Sequence, residues 1–295
     1  MRNRRVKMSL AEFHRLPISL VWKQEYINGC LVQSPRPVLV HATVPVERRN
    51  ATSPVALRPV IEGDERGLQP IFQAAFSGTA EFCDCTRQRL AEAACEYLYR
   101  FFHRPCHRVL SASMVALAPD SGKPIGAALV LAEDDGWALL DMIFIAPAWQ
   151  RQGVATAMAA AVLNALHGIG GCRTLVSCYH LGNEASAGWH HRFGFVDEPD
   201  MRVAQLRLRA AQHELHRLED LGALTPPVQD RLTRERDRWQ GEVDRLEAAL
   251  GAGYYEEVWP WYKWKRKKPD GDQSEAQSKR ISSEASKGLK LDQTK

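Results

Sequence analysis

The stretch AWQRQGVATAM, residues 148–158, holds the arrangement with the plainest chemical use. A polar, glycine-containing turn stands between an apolar run, LLDMIFIAP (139–147), and an alanine-rich run of helical character, VATAMAAAVLNAL (154–166). A helix start offers amide protons without intrahelical partners at the positive end of the macrodipole, so such a turn is a ready anion site. Gly153 and Ala155 leave little side chain to hold a phosphate off the backbone, Thr156 adds a hydroxyl, and Arg151 adds a charge. Within the apolar run stands Asp141, a costly residue in a strand unless it is solvated, paired or used. Further on, Asn183, Ser186 and His190 have the i, i+3, i+7 spacing that shares one helical face, whereas His191 is turned about 100° away.

Two other groups of residues could do chemistry. Cys83, Cys85, Cys95, His103, Cys106 and His107 fall close together, as metal ligands would. They lack the paired CxxC knuckles of zinc ribbons, and Cys95 sits inside a helical pattern, so no metal is expected. The segment YYEEVWPWYKWKRKK (254–268) interleaves aromatic and basic residues, a composition that suits single-stranded nucleic acid or a membrane interface. One short patch makes few phosphate contacts, and docking of its aromatics on the domain is the preferred reading.

Patterning indicates the elements that must position these residues. Residues 1–50 are not helical in pattern; Asn28-Gly29 between VWKQEYI and CLVQS signals a hairpin, and Pro35, Pro37 and Pro45 restrict the next segment to edge or irregular structure. The whole of 1–50 reads as a small β appendage. Over 55–200 the order is β-α-α-β-β-β-α-β-α, a mixed sheet with helices on both sides. One helix begins at Thr86, a good N-cap, and the alanine-rich helix ends in HGIGG. Residues 202–250 carry two apolar stripes broken at Gly222 and restarted at Thr225-Pro226-Pro227, which predicts an antiparallel helical hairpin. The aromatic and basic segment occupies 251–268, and the Ser/Gln/Lys/Asp-rich remainder, 269–295, reads as a disordered tail.

Composition narrows the function classes. A chain of 295 residues with 45% hydrophobic and 25% charged residues is globular over most of its length. Lys263, Lys265, Arg266, Lys267 and Lys268 outweigh the net charge of +4, so the remainder is close to neutral and nucleic acid is not indicated. No apolar run approaches the roughly 18 residues of a membrane span, and the basic N-terminus has no apolar core of a signal peptide behind it. Seven cysteines without framework spacing read as reduced thiols in a cytoplasmic chain.

The spacing Gln150-x-x-Gly153-x-Ala155, after a strand and before a helix, resembles the Q/R-x-x-G-x-G/A loop of the GCN5-related N-acetyltransferases (GNAT). Downstream, Asn183-x-x-Ser186…Gly194-Phe195 is similar to that family's second block, N-x-x-A/S…G-F. The resemblance covers roughly 55–200 and implies an α/β (α+β) fold with a splayed mixed sheet, carrying here an N-terminal β-hairpin and a C-terminal helical hairpin. It implies acetyl-CoA as acyl donor, with the thioester lodged between strands that part near Phe144 and Ser177. Backbone groups of Ile143 and Ile145 would hold the pantetheine and the acetyl carbonyl. The amides of Arg151, Gln152, Gly153, Val154, Ala155 and Thr156 would take the pyrophosphate, and Asn183 and Ser186 would lie along the pantetheine.

Acetyl transfer to an amine needs a neutral nitrogen, although a free aliphatic amine has a pKa of about 10.4. A carboxylate within one water of the nitrogen can take its proton. Many family members place an acidic residue six positions before the proline that leads into the loop, which here is Asp141. Relatives commonly protonate the leaving thiolate with a tyrosine seven residues after the motif asparagine, and counting from Asn183 gives His190 instead. An imidazolium can donate a proton, but a buried histidine that merely packs on the pantetheine fits the position equally well. The acceptor is expected opposite the coenzyme, near FSGTAEFCDCT, where Glu81 and Asp84 would attract a cationic amine of a small molecule or a protein. A homodimer is compatible with all this. Two alternatives stay open: a non-catalytic acyl-CoA sensor, and an interaction protein built on the helical hairpin and basic tail.

Overall fold

The computed structural model describes residues 4–50, 52–103, 108–132 and 136–251. The segment 251–268, read as aromatic and basic, lies outside the described residues except for Gly251, and the tail 269–295 lies wholly outside them. Asn28 and Gly29, at φ of 50° and 76°, supply the two left-handed residues of the tight turn between β2 (Trp22–Ile27) and β3 (Cys30–Pro35). A further strand, β1 (Arg4–Lys7), pairs antiparallel with the other edge of β3 to make a three-stranded sheet. Between β1 and β2 stands a helix that the patterning did not indicate, α1 (Leu10–His14). Its start is a reciprocal cap: the Glu12 amide donates to Ser9 Oγ (3.1 Å) and the Ser9 amide to Glu12 Oε2 (2.7 Å).

The main sheet has seven strands in the order β10-β4-β9-β8-β7-β6-β5. Five were expected: β5 (Ala56–Pro59), β6 (Met114–Leu117), β7 (Pro124–Ala132), β8 (Trp137–Ile145) and β9 (Thr174–His180). The strand β10 (Val196–Glu198) closes one edge. The remaining strand, β4 (Leu39–Pro45), corrects the expectation of edge or irregular structure after the prolines. It lies inside the sheet, antiparallel to both β9 and β10, with Val40, Ala42 and Val44 buried. The prolines do not obstruct it because Pro35 and Pro37 precede the strand and Pro45 ends it. The core sheet therefore draws on residues within 1–50.

Two apolar layers cover the sheet, one on each face. On one face α2 (Glu65–Phe76) and α3 (Arg87–Phe102) bring Leu68, Phe72, Leu90 and Leu98 against Val115, Leu129 and Phe144. Thr86 caps α3 as expected, its hydroxyl accepting the Arg89 amide at 3.2 Å. On the other face lie α4 (Val154–Ile169), α5 (Glu184–Phe193) and the start of α6 (Met201–Asp220). The small side chains of Ala157, Ala159 and Ala160 are all buried, which lets α4 sit close on the strands. The next helix, α7, runs Pro226–Gly251. Residues 1–244 form one compact unit, and within it the Arg207 guanidinium of α6 lies 6.0 Å from the Trp239 ring of α7. Both residues stand about three and a half turns from the connecting loop, as antiparallel helices require. No helix among the described residues is long and apolar enough to cross a membrane.

Candidate functional site

The site begins as a defect in the sheet. Strand β8 pairs with β9 in parallel from Trp137–Thr174 to Leu140–Ser177, and there the pairing stops. Both strands continue, but β9 now pairs only with β4 and β8 only with β7. The cause on the β8 side is a bulge: Leu129 faces Met142 and Val130 faces Leu140, so Asp141 is an extra residue on β8. One inserted residue exchanges the faces of every side chain after it. Leu140 packs in the α4 layer, whereas Met142 and Phe144 pack in the α2–α3 layer, Phe144 with its ring 5.5 Å from Phe72. The Ala146 amide donates to the Ile125 carbonyl across β7–β8 (2.8 Å). By the alternation of an antiparallel ladder, the amides and carbonyls of Ile143 and Ile145 then face away from β7, into the gap. Asp141 itself is half-buried at the point where the gap opens.

Beyond β8 the chain turns into α4. Arg151 and Gly153 both take positive φ, 60° and 81°, and together wind the backbone so that successive amides point one way. A side chain at Gly153 would meet nothing within 4 Å, so the need for glycine there is torsional rather than steric. Gln150 Nε2 donates to the Ile145 carbonyl (3.0 Å) and Gln152 Nε2 to the Ala148 carbonyl (2.8 Å). These two side chains brace the loop from within. The first amide of the helix to find a carbonyl is that of Ala157, on Gly153 at 3.0 Å; among the described residues, no bond within the chain engages those of 151–156. The Thr156 hydroxyl accepts the Trp189 indole N–H at 3.3 Å, tying the mouth of α4 to α5. Arg151 and Thr156 are exposed, Ala155 is half-buried and Val154 is buried in the core.

Helix α5 explains its own motif. Asn183 is the N-cap, its Oδ1 accepting the Ser186 amide at 3.0 Å. Gly194, at φ 107°, ends the helix, and the amides of Gly194 and Phe195 both donate to the His190 carbonyl. The Phe195 ring then packs 5.0 Å from the His190 ring. His190 is 1% exposed, and burial holds its pKa below the ordinary 6.5. Its Nδ1 lies 2.8 Å from the Ser186 carbonyl, which can only accept, so Nδ1 carries the proton. In this neutral tautomer Nε2 accepts from the Ser177 hydroxyl at 3.0 Å. Ser177 is the last β9 residue paired with β8, so a buried Ser–His pair sits where the strands part. These partners are compatible with the packed neutral ring. Ser177 as a hydroxyl partner was not legible, since the signal for it is tertiary.

Glu81 lies in a short 3-10 turn (Ala80–Phe82) between α2 and α3. Its Oε1 accepts Asn183 Nδ2 at 2.8 Å, so a residue of the α2–α3 side reaches the cap of α5 on the other face. Its second oxygen, Oε2, is buried without a hydrogen-bond partner among the described residues. Asp84 is not brought to this place by any bond: its Oδ1 accepts from the Cys85 thiol at 3.8 Å in the turn before α3. No group of three His, Cys, Asp or Glu side chains among the described residues could hold a metal ion, and Cys106 and His107 lie outside those residues.

Comparisons with known proteins reach part of the chain. Residues 78–195 match the model of the acetyltransferase (GNAT) family, a segment from the α2–α3 connection to the end of α5. No curated protein matches. Among solved structures, a GCN5-related N-acetyltransferase from Sphaerobacter thermophilus is 18% identical, covering 55% of this chain and 49% of its own, with a TM-score of 0.39. The chain thus spans about half the length of that protein. The PaiA N-acetyltransferase of Thermoplasma acidophilum, solved with coenzyme A, is 14% identical over 50% of this chain and 92% of its own, with a TM-score of 0.39. An acetyltransferase from Thermus thermophilus is 17% identical over 50% and 90%, with a TM-score of 0.37. The segment 78–195, which carries the parted strands and the glycine loop, is thus similar to the acetyltransferase domains of the GNAT family.

Proposed function

We propose that this protein moves an acetyl group from acetyl-CoA directly to a primary amine. The observation that carries the reading is a coincidence of place. The open strand edge at Ile143 and Ile145 and the unengaged amides of 151–156 lie in succession along one piece of chain. A coenzyme with an amide-bearing arm and a diphosphate needs both, in that order. The arm would extend the sheet along β8, and the pyrophosphate would rest on the mouth of α4 beside Arg151 and Thr156. The acetyl carbonyl, lodged near Ile143 and Ile145, would meet backbone N–H groups already aimed at the charge that grows on its oxygen.

The acceptor amine must lose a proton. Asp141, at the bulge, is the proposed base through one water. Glu81 is the proposed anchor for the incoming ammonium, because a buried carboxylate oxygen without a partner is costly until a cation meets it. Asp84 has less support in that role. Ser177 and His190 hold each other beside the thioester position rather than delivering a proton from an imidazolium. The neutral His190 favours one second reading, an acyl-CoA sensor without turnover. The two readings are separated by incubating the protein with acetyl-CoA and a panel of small amines and lysine peptides while following free thiol. Release of coenzyme A dependent on an amine supports transfer, tight binding without release supports the sensor, and no binding of coenzyme A removes both.

A further inference from the structure

Away from the coenzyme gap, a cavity of about 470 Å³ lies between the end of α5, β10 and the α6–α7 hairpin. That volume is in the range of metabolite sites. Its walls carry four arginines, Arg207 from α6 and Arg231, Arg234 and Arg238 from α7. Among the described residues two carboxylates line the cavity with them, Asp197 and Glu235, and both are engaged. Asp197 accepts from the Tyr179 hydroxyl (2.8 Å) and from His191 Nε2 (2.9 Å), and Glu235 pairs with Arg231 at 4.0 Å. Arg207, Arg234 and Arg238 thus share one concavity with no carboxylate of their own among the described residues. Arg207 Nε is buried and has no hydrogen-bond partner among those residues. The guanidinium groups of Arg207 and Arg238 lie 6.0 and 5.0 Å from the Trp239 ring, which fixes their place but leaves their N–H donors unsatisfied by charge.

We infer that this cavity binds a compact, multiply charged oxyanion, a small metabolite bearing phosphate or several carboxylate groups. Like charges brought this close repel, and a ligand that accepts several guanidinium hydrogen bonds at once removes the repulsion and the buried unsatisfied donor together. Guanidinium forks match carboxylate and phosphate oxygens in pairs, whereas a neutral ligand would leave them uncompensated. The site is independent of the Gly153 loop. It adjoins the Ser177–His190 pair through His191 of α5 and through Tyr179, whose ring lies 4.9 Å from His190.

The test is calorimetric titration of the full chain with inorganic phosphate, pyrophosphate and citrate, in turn, with and without saturating coenzyme A. The expected result is one saturable site for at least one of these probes that persists when coenzyme A is present. Phosphate or pyrophosphate as the tighter ligand would assign a phosphorylated metabolite, and citrate a polycarboxylate. Arg207→Gln and Arg234→Gln should each weaken binding about tenfold, the loss of one charged hydrogen bond. Arg234 is exposed, so R234Q keeps the fold even where R207Q does not. Gly153→Val, which removes any anion binding at the 151–156 amides, should leave the arginine-dependent site, read with citrate or as the remaining phosphate or pyrophosphate site, unchanged. The inference fails if none of the probes saturates, if binding survives both arginine substitutions, or if it is lost in G153V or under coenzyme A.

Discussion

The residues that matter most here are held by torsion and tautomer rather than by bulk. Gly153 stands in open space, yet its φ of 81° is one that a β-branched side chain adopts only at a cost of about 1–2 kcal/mol. Gly153→Val should therefore unwind the amide cluster, and calorimetry should show coenzyme A binding weakened at least about tenfold while the melting transition moves little. Arg151 occupies the same torsional region at φ 60° despite carrying a side chain, a local strain kept where its charge borders the loop. His190 makes a different prediction. Burial holds its folded pKa below the unfolded 6.5, so the unfolded chain binds the extra proton first. The stability this ring contributes is complete above pH 6.5 and is lost as pH falls through the lower folded value. Denaturant melts from pH 7.5 down to 5 should show the native protein losing stability more steeply than His190→Gln. Equal slopes would mean that burial does not lower the pKa of this ring in the folded protein.

At the scale of elements, the bulge on β8 decides the shape of the site. It turns Phe144 to one apolar layer and leaves the backbone of Ile143 and Ile145 facing the gap. The opposing strand is fitted to it: a Cβ on Gly126 would lie 2.7 Å from the Phe144 carbonyl oxygen and 3.2 Å from Ile145 Cα. Since backbone cannot swing aside as a side chain can, Gly126→Ala should cost about 1–3 kcal/mol in denaturant unfolding. It should also impair coenzyme A binding by displacing β8, whereas Gly241→Ala on α7 should do neither. The helices from α2 to α7 and the strands from β5 to β9 were legible because their apolar periods run unbroken over several turns or residues. The loop was legible because glycine in a strand-to-helix turn has few other uses. The bulge was not: LLDMIFI reads as seven consecutive strand residues, and only the partner strand reveals that one of them is extra. Glu81 could be proposed from its charge, but its bond to Asn183 spans 102 positions of sequence and no local pattern announces it.

For the compact unit as a whole, the question is how a sheet can contain a strand from so early in the chain. Proline spacing concealed β4, because the three prolines that flank it suggest a broken segment while Leu39–Val44 between them alternate cleanly in burial. Its position makes the stretch from Val38 to Val46 part of the core, while β1, β2 and β3 form a sheet of their own. Without β4, the outer edge of β9 from Thr174 to His180 loses its antiparallel partner. That strand would then be held by β8 over only four residue pairs, and β10 would lose its sole neighbour. Val40, Ala42 and Val44 are 3%, 0% and 0% exposed, so their removal also opens the layer beneath α4 and α5. Loss of a buried valine side chain costs about 1.5–3 kcal/mol by transfer alone, a large fraction of the roughly 5–15 kcal/mol that stabilises a typical domain. A chain trimmed to begin at residue 51 should therefore give no cooperative melting transition, and its exposed strand edge should drive aggregation. Ala42→Asp in the full chain, which buries a charge at the same place without removing any backbone, should lower the melting temperature steeply. A trimmed chain that melts cooperatively near the native temperature would show that β4 is an accessory strand, and that the parted β8–β9 pair stands without it.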